Sequence, residues 1–218
     1  MKIKKILSVI MFMLGVVISV QAEDEIKETL PMIPSASIPL HNGVNGFEKY
    51  CYGITDLTNL IPGREYEDFQ LQTYTPADQN EELFLMLCTK IYIPSDNYIL
   101  AFVEYSGAID AGTGYLISLD NNCDVVDQLE VAVYNGSMMA KQFRIDRDGR
   151  ITVTRLVPDD TNPVLFTKFV EMDGHRVDET FIVDSNGKFV KQGEEKFASK
   201  HYSYEMLDMK HGKNLWDF

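Results

Sequence analysis

Residues 143–153 read FRIDRDGRITV, and residues 181–190 read FIVDSNGKFV. In both stretches an alternating apolar run is followed by Asp-x-Asp/Asn-Gly and then by a second alternating run. Alternation with a period of two is typical of half-buried strands, and Asp, Asn and Gly in this order are typical of tight hairpin turns. Each stretch therefore predicts two antiparallel strands joined by a short loop.

Similar patterns recur from residue 97 onward and predict eight consecutive strands. We expect these strands at residues 98–105, 114–119, 125–134, 141–145, 150–157, 164–171, 176–183 and 188–192. Most of the connections, such as Asp173-Gly174, have hairpin length, which leaves no room for the crossovers that parallel pairing needs. The sequence predicts an all-β fold with minor α content, an antiparallel up-and-down meander that forms a barrel or a propeller-like or two-sheet assembly.

The repeated hairpin also raises the question of a repeat architecture. The two copies lie 38 residues apart (184 minus 146), close to the roughly 40 residues of a propeller blade. A weaker copy, ISLDNNC at 117–123, has Cys123 at the glycine position and lies 26 residues before the first strong copy (146 minus 120). This unequal spacing weakens the propeller interpretation.

The remaining sequence is less regular. Residues 67–74 alternate as a half-buried strand does. Residues 75–90 fit either a helix with Pro76 at its first position or a helical turn at 76–82 followed by a buried strand at 83–93 that stops at Pro94, and periodicity alone does not distinguish the two. The tail, residues 194–218, fits either a last strand or a short helix.

The first 22 residues are typical of an export signal. Lysines at positions 2, 4 and 5 precede the apolar run 6–20, and that run is short for a bilayer span of roughly 20 residues. We therefore expect a signal peptide at 1–22, an extended polar leader at 23–45 and a single mostly β domain at 46–218. The mature chain is expected to be periplasmic or secreted, without membrane insertion.

Charge and cysteine content limit the possible partners. The formal net charge is -13, and removal of the three signal lysines would make it -16. So acidic a chain is not expected to bind nucleic acid, because it repels phosphates. The three cysteines, Cys51, Cys88 and Cys123, allow one intramolecular disulfide at most, and their spacing does not indicate a zinc or redox site.

The hairpin turns contain the candidate metal ligands. Asp146 and Asp148, and likewise Asp184 and Asn186, occupy alternate positions before a glycine, as at the start of a calcium-binding loop. No acid follows in residues 151–157, and in a hairpin the same residue types stabilise the turn. We predict that these are turn residues and that no cofactor is bound, with calcium as the alternative.

Candidate ligand-binding residues lie around the glycine-rich segment 107–114. This segment lacks the Lys-Ser/Thr ending of a phosphate-binding loop. Tyr105, Asp110 and Tyr115 combine aromatic rings with a carboxylate, as a site for sugar or peptide does. Further tyrosines, at positions 66, 74, 92, 98 and 134, would extend a stacking surface, although packing on strands explains them equally well.

No catalytic residues can be assigned. Glu104, Asp110, Asp120 and Glu130 are candidate acids for a glycosidase-like carboxylate pair, but no spacing selects a pair. His175 follows the turn signal at 173–174 and is expected to be exposed.

The function that the sequence favours is non-enzymatic binding of a carbohydrate, peptide or protein partner by an exported acidic β domain. The alternatives are a secreted hydrolase with a carboxylate pair and a calcium-stabilised structural module. The oligomeric state stays open.

Overall fold

The computed structural model describes residues 27, 30–33, 35–46, 84–106, 111–135, 138–159 and 171–218, with the backbone alone at 84–88, 105, 106, 111, 135 and 138. Eleven strands in these ranges form one sheet. They are β1 (Ser35–Ser37), β2 (Leu40–His41), β3 (Phe84–Tyr92), β4 (Ile99–Ser106), β5 (Ala111–Leu119), β6 (Val125–Asn135), β7 (Met138–Ile145), β8 (Ile151–Pro158), β9 (Met172–Val183), β10 (Phe189–Lys196) and β11 (Lys200–Tyr202).

The helices of the described ranges are short. They include 3₁₀ helices at Leu30–Met32, Met209–His211 and Leu215–Asp217 and an α-helix, α1, at Tyr204–Leu207. None of these helices is long and apolar enough to cross a membrane.

The sheet is a meander from β3 to β10, in which each strand pairs with the next. The strand order is β1-β3-β4-β5-β6-β7-β8-β9-β10, while β2 pairs with β7 and β11 pairs with β9. Pairing is parallel between β1 and β3 and antiparallel elsewhere. The prediction of a mostly β chain is confirmed. The sheet is mixed and not closed, so neither a barrel nor a propeller is confirmed.

One predicted connection is wrong. Asp173 and Gly174 lie inside β9, which pairs directly with β8 so that Gly174 is opposite Pro158. A Cβ atom at Gly174 would come within 2.6 Å of the Val157 carbonyl oxygen, so this glycine allows two backbones to approach closely and does not form a turn. The predicted strand 164–171 lies, apart from residue 171, outside the described residues, as do the predicted elements at 67–74 and 76–82.

Strands β4 and β5 are buried on both faces, because alternate residues enter two different clusters. One face contributes Leu100, Phe102 and Leu116 to the larger cluster. The other contributes Ala101, Val103 and Tyr115 to a second cluster. The larger cluster is completed by Leu40, Ile91, Val131, Ala132, Phe143, Ile145, Ile151 and Val153.

The described part of the predicted leader, residues 30–33 and 35–45, belongs to the sheet and its cores. β1 pairs with β3, and β2 pairs with β7. Leu30 and Ile33 are buried in the second cluster, and Leu40 is buried in the larger one. Only a few apolar side chains of this segment enter the cores. The mainly polar composition of the segment therefore predicted an extended leader. The domain boundaries stay a prediction, and the predicted signal peptide lies outside the described residues.

The tail contains both a strand and helices. β11 extends the edge of β9, and α1 and the last 3₁₀ helices follow it. Tyr202, Leu207 and Leu215 pack against Leu156 and Met172 in a third cluster. The tail therefore covers the face of β8 and β9 that is turned away from the larger cluster.

Candidate ligand-binding site

The face of the sheet that carries the larger cluster continues into a row of charged side chains. β7 and β8 pair without a bulge, so Lys141 shares a face with Phe143, and Arg155 shares it with Val153. On β9 and β10 the row continues on the same face, whereas Glu130 on β6 lies opposite Tyr115 of the second cluster and joins the row through its ion pair with Lys141. We call its six residues the charged strip: Glu130 on β6, Lys141 on β7, Arg155 on β8, Glu179 on β9, and Lys191 and Glu194 on β10.

Ion pairs connect the members of the charged strip. Lys141 Nζ pairs with Glu130 Oε1. Arg155 Nε lies 3.1 Å from Glu179 Oε2. Lys191 Nζ lies 2.6 Å from both Glu179 Oε1 and Glu194 Oε2. Three positive and three negative side chains therefore balance one another.

The strand register also places like charges opposite each other. Lys141 is directly opposite Arg155, and Glu179 is directly opposite Glu194. Like charges at such positions destabilise a sheet, and the neighbouring ion pairs offset this cost. An arrangement that is costly for folding is a candidate for a functional role.

The charged strip changes from buried to exposed as it approaches the edge of the sheet. The side chains of Glu130, Lys141, Arg155 and Glu179 are 13%, 9%, 28% and 18% exposed, whereas those of Lys191 and Glu194, on the edge strand, are 42% and 44% exposed. Burial lowers the pKa of Lys141, and Arg155 adds to this effect, while Glu130 opposes it. Burial alone would raise the pKa of Glu179, but Lys191 and Arg155 bring it below its ordinary value. The exposed half of the strip is thus open to a ligand, and Glu179 is held in its charged form.

The electrostatic surroundings of Glu179 do not suit it to the role of a general acid. A glycosidase needs a carboxylic acid whose pKa is raised, so that it can donate a proton. The pKa of Glu179 is shifted in the opposite direction. Of the acids that the sequence suggested, Glu130 pairs with Lys141, and Asp120 Oδ1 accepts the amides of Asn122 and Asp124 in a turn.

Of the two remaining predicted acids, the structure describes only one. Glu104 is buried on β4, and Asp110 lies outside the described residues. Apart from Glu130, sequence reasoning missed the strip. The sequence feature that could have indicated the strip is a charged residue that alternates in step with core residues. Lys141, Phe143 and Ile145 are two residues apart and share one face of β7.

Of the three predicted ligand residues, the structure describes the side chain of Tyr115 alone, which lies directly opposite Glu130 of the charged strip. Tyr115 is 6% exposed and packs in the cluster with Leu30 and Ile33. Tyr105 lies on β4, and its side chain is outside the description. This burial identifies Tyr115 as a core residue. A ligand-binding role for Tyr105, Asp110 and Tyr115 stays a prediction.

The other described tyrosines do not gather on one surface. Tyr98 lies beside the turn at Gly187. Tyr134 lies over Gly112, which is at the opposite end of β5. Tyr92 is exposed on β3. In the described ranges, these rings therefore do not form a shared stacking platform.

The candidate metal ligands lie in two hairpin turns with the same backbone hydrogen bonds. Asp146 N donates to Arg150 O at 2.9 Å, and Asp184 N donates to Lys188 O at 2.9 Å. Gly149 and Gly187 have φ values of 82° and 81°, in the left-handed region. The turn prediction is confirmed.

The polar side chains of these turns bond mainly to their own backbone. Asp184 Oδ1 accepts the amides of Asn186 and Lys188, and Asp148 Oδ1 accepts the amide of Arg150. Among the described residues, no three His, Cys, Asp or Glu side chains are grouped to hold a metal ion. Calcium binding stays an untested alternative.

The weak third copy of the hairpin signature adopts the same turn. Cys123 has φ 68°, and its amide donates to Asp120 O at 3.0 Å. Its thiol is free, and burial raises its pKa. Cys51 and the side chain of Cys88 lie outside the description, so the disulfide question stays open.

A separate polar cluster lies at the start of β9. His175 is buried, contrary to the prediction, and its Nδ1 lies 3.1 Å from Asp159 Oδ1. Ser199 donates its hydroxyl to the other oxygen of Asp159. The carboxylate thus lies between serine and histidine, whereas nucleophilic catalysis needs the histidine beside the serine. This cluster therefore joins the tail to β9, and its His175 is not placed to activate Ser199.

Comparison with protein families, with curated proteins and with solved structures gives no match to this chain. The functional argument therefore rests on the charged strip and its surroundings.

Proposed function

We propose that this chain is an exported, non-enzymatic binding domain that recognises a peptide segment of a partner protein through the exposed half of its charged strip. The observation that carries the proposal is the graded strip itself. Its buried end, Glu130 and Lys141, anchors a balanced set of charges whose other end, Lys191 and Glu194, is accessible to solvent.

A peptide fits this surface better than a carbohydrate does. Sugar sites commonly combine hydrogen-bonding groups with an accessible aromatic ring, whereas Tyr115, which lies opposite Glu130, is buried in the core. Charges of both signs, in contrast, select a partner whose charges are complementary, and they act mainly on specificity and association rate. The strip supports recognition of a segment that carries both basic and acidic residues.

A charge-swap variant tests the binding role. The probe is an array of 12-residue peptides that carry lysine and glutamate in all relative positions, with a glycan array as the second arm. Lys191→Glu combined with Glu194→Lys keeps the net charge but reverses the local pattern. The matched control swaps the exposed pair Asp148 and Arg150, whose charged groups lie 3.4 Å apart in a hairpin turn.

We expect the purified protein to bind a subset of mixed-charge peptides, and we expect the swap in the strip to weaken this binding at least tenfold while the control swap leaves it unchanged. Binding to glycans alone, or equal binding by both swapped variants, would overturn the proposal. Export is tested separately by N-terminal sequencing of the exported protein, which should begin at Glu23.

A further inference from the structure

We infer that the partner peptide binds as an added strand along the free edge of β10. This inference rests on the proposed function and specifies how the partner is held. β10 is the last strand in the sheet order, and among the described residues its ladder partner is β9 alone. Its outer edge therefore presents backbone groups that an extended peptide can pair with.

One hydrogen bond and the alternation of the strand show which backbone groups face that edge. Phe189 N donates to Asp127 Oδ2 at 2.9 Å, so the Phe189 amide points away from β9. Alternate residues of an antiparallel strand point their backbone groups to the same side. Lys191 is two residues further and precedes the bulge, so its amide and carbonyl also face the free edge.

The beginning of the edge is occupied by β6. Asp127 binds the Phe189 amide, and Lys188 Nζ donates to Val126 O. From Lys191 to Lys196, no other described strand pairs with this edge. The available length is six residues, which is close to the length of an ordinary strand.

The side chains beside the edge define the chemistry of the partner. On one face, Val190 and Ile182 are cross-strand neighbours that are 38% and 39% exposed. On the other face, Lys191 and Glu194 form the exposed end of the charged strip. A complementary segment is extended, with an apolar residue near Val190 and Ile182 on one face and an acidic and a basic residue on the other.

The edge is poorly suited to a second copy of the same chain. The β9–β10 register shifts between Lys191 and Gly193, which indicates a bulge at Gln192. Pairing of two β10 strands around a two-fold axis at this position would place the two bulges opposite each other. Bulges and charged residues on an edge strand counteract self-association, and the partner is therefore a different chain.

The test separates the backbone of Lys191 from its side chain. The probe is a peptide selected from a random 12-residue phage-displayed library against the purified protein. Lys191→Pro removes the outward amide and the side chain, whereas Lys191→Ala removes the side chain alone. Proline is tolerated on an edge strand where the missing amide faces outward, so both variants should have similar melting temperatures.

We expect the peptide to bind Lys191→Pro at least tenfold more weakly than Lys191→Ala. Equal affinities would overturn strand addition. If these affinities are equal while the charge swap of Lys191 and Glu194 still weakens binding, the proposed function stands and the inference fails. A concentration-dependent dimer that Lys191→Pro disrupts would show that a second copy occupies the edge, which also overturns the inference.

A second measurement covers the case in which Lys191→Pro does not fold. Single N-methyl groups are introduced along the selected peptide, which is then bound to the unmodified protein. In an added strand only alternate amides bond to the edge, so methylation at every second position should weaken binding at least tenfold and methylation between these positions should not. Equal effects at all positions would contradict strand addition.

Discussion

The hairpin turns at 146–149 and 184–187 share a sequence pattern and a backbone conformation, but they have different surroundings. A Cβ atom at Gly149 would meet nothing within 4 Å, whereas one at Gly187 would lie 3.3 Å from both Tyr98 Cβ and Val126 Cγ1. Local sequence determines the conformation of both turns. The position of each hairpin in the sheet determines whether its turn also supports tertiary structure.

The turn at 184–187, in which Gly187 is buried, joins the hairpin of β9 and β10 to β5 and β6. Ser118 Oγ donates to Gly187 O at 2.5 Å, and Asn97 Nδ2 donates to Ser185 O at 3.0 Å. The neighbouring contacts of Lys188 and Phe189 with β6 lie beside them. These bonds hold β10 near β6 without a ladder, and they place the edge that we propose for peptide binding.

The largest difference between the turns is expected for glycine replacement. Gly149→Ala should cost about 1–2 kcal/mol, because the left-handed conformation is unfavourable for a residue with a Cβ atom. Gly187→Ala should cost about 2–4 kcal/mol, because the same strain is combined with overpacking of a buried site. The free energy of unfolding in urea measures both values. Equal losses would show that the contacts around Gly187 do not contribute.

The second prediction concerns the buried hydroxyl of Ser118. Ser118→Ala removes the donor to Gly187 O, and a buried carbonyl that loses its donor costs about 1–3 kcal/mol. Ser185→Ala is the matched control, since Ser185 is exposed and its contact to Asn97 uses the backbone carbonyl. A loss in the control as large as that in Ser118→Ala would assign the effect to the turn in general.

The third prediction compares the first aspartate of the two turns. Asp184 Oδ1 accepts two amides, whereas the corresponding amide in the other turn, that of Arg150, bonds to Asp148. Asp184→Ala should therefore reduce the free energy of unfolding by about 1 kcal/mol, as the loss of a capping residue does, and Asp146→Ala should change it by less than about 0.5 kcal/mol. Urea unfolding of the two variants side by side checks the difference, and the opposite order would contradict it.

The parts of the fold that local sequence determines were predictable. Each hairpin turn depends on about four adjacent residues, so Asp146 to Gly149 and Asp184 to Gly187 could be assigned directly, and the alternation around them gave the strands. Asp173-Gly174 also has the Asp-Gly pair that is typical of a turn. These residues lie within β9, which pairs with β8, so strand pairing determines their conformation.

The candidate site was harder to predict, because its residues come from five strands. Glu179 reaches Arg155 and Lys191 only through the register of β8, β9 and β10, and that register includes a bulge. A single sequence does not give the register. The sequence gives one indication of the site. Lys141 and Phe143 are two residues apart and therefore lie on the same face of their strand, which places a charged residue on a face that also carries core residues.

The smallest expected effect has the opposite sign and concerns the third copy of the turn. Cys123 adopts φ 68° where the other two copies have glycine. Cys123→Gly should relieve the strain of a side chain in this conformation, which is worth about 1–2 kcal/mol, but it also gives up the packing of a half-buried thiol against the cluster around Leu119 and increases the freedom of the unfolded chain.

We therefore expect a net gain of at most about 0.5–1 kcal/mol in the free energy of unfolding. Cys123→Ala is the matched control, because it removes the thiol and keeps the strain, so it should be destabilising. Equal destabilisation of both variants would show that packing of the thiol outweighs the backbone strain. Tertiary contacts would then matter for this turn, as they do at Gly187, where a Cβ atom would meet neighbours, and not at Gly149, where it would meet none.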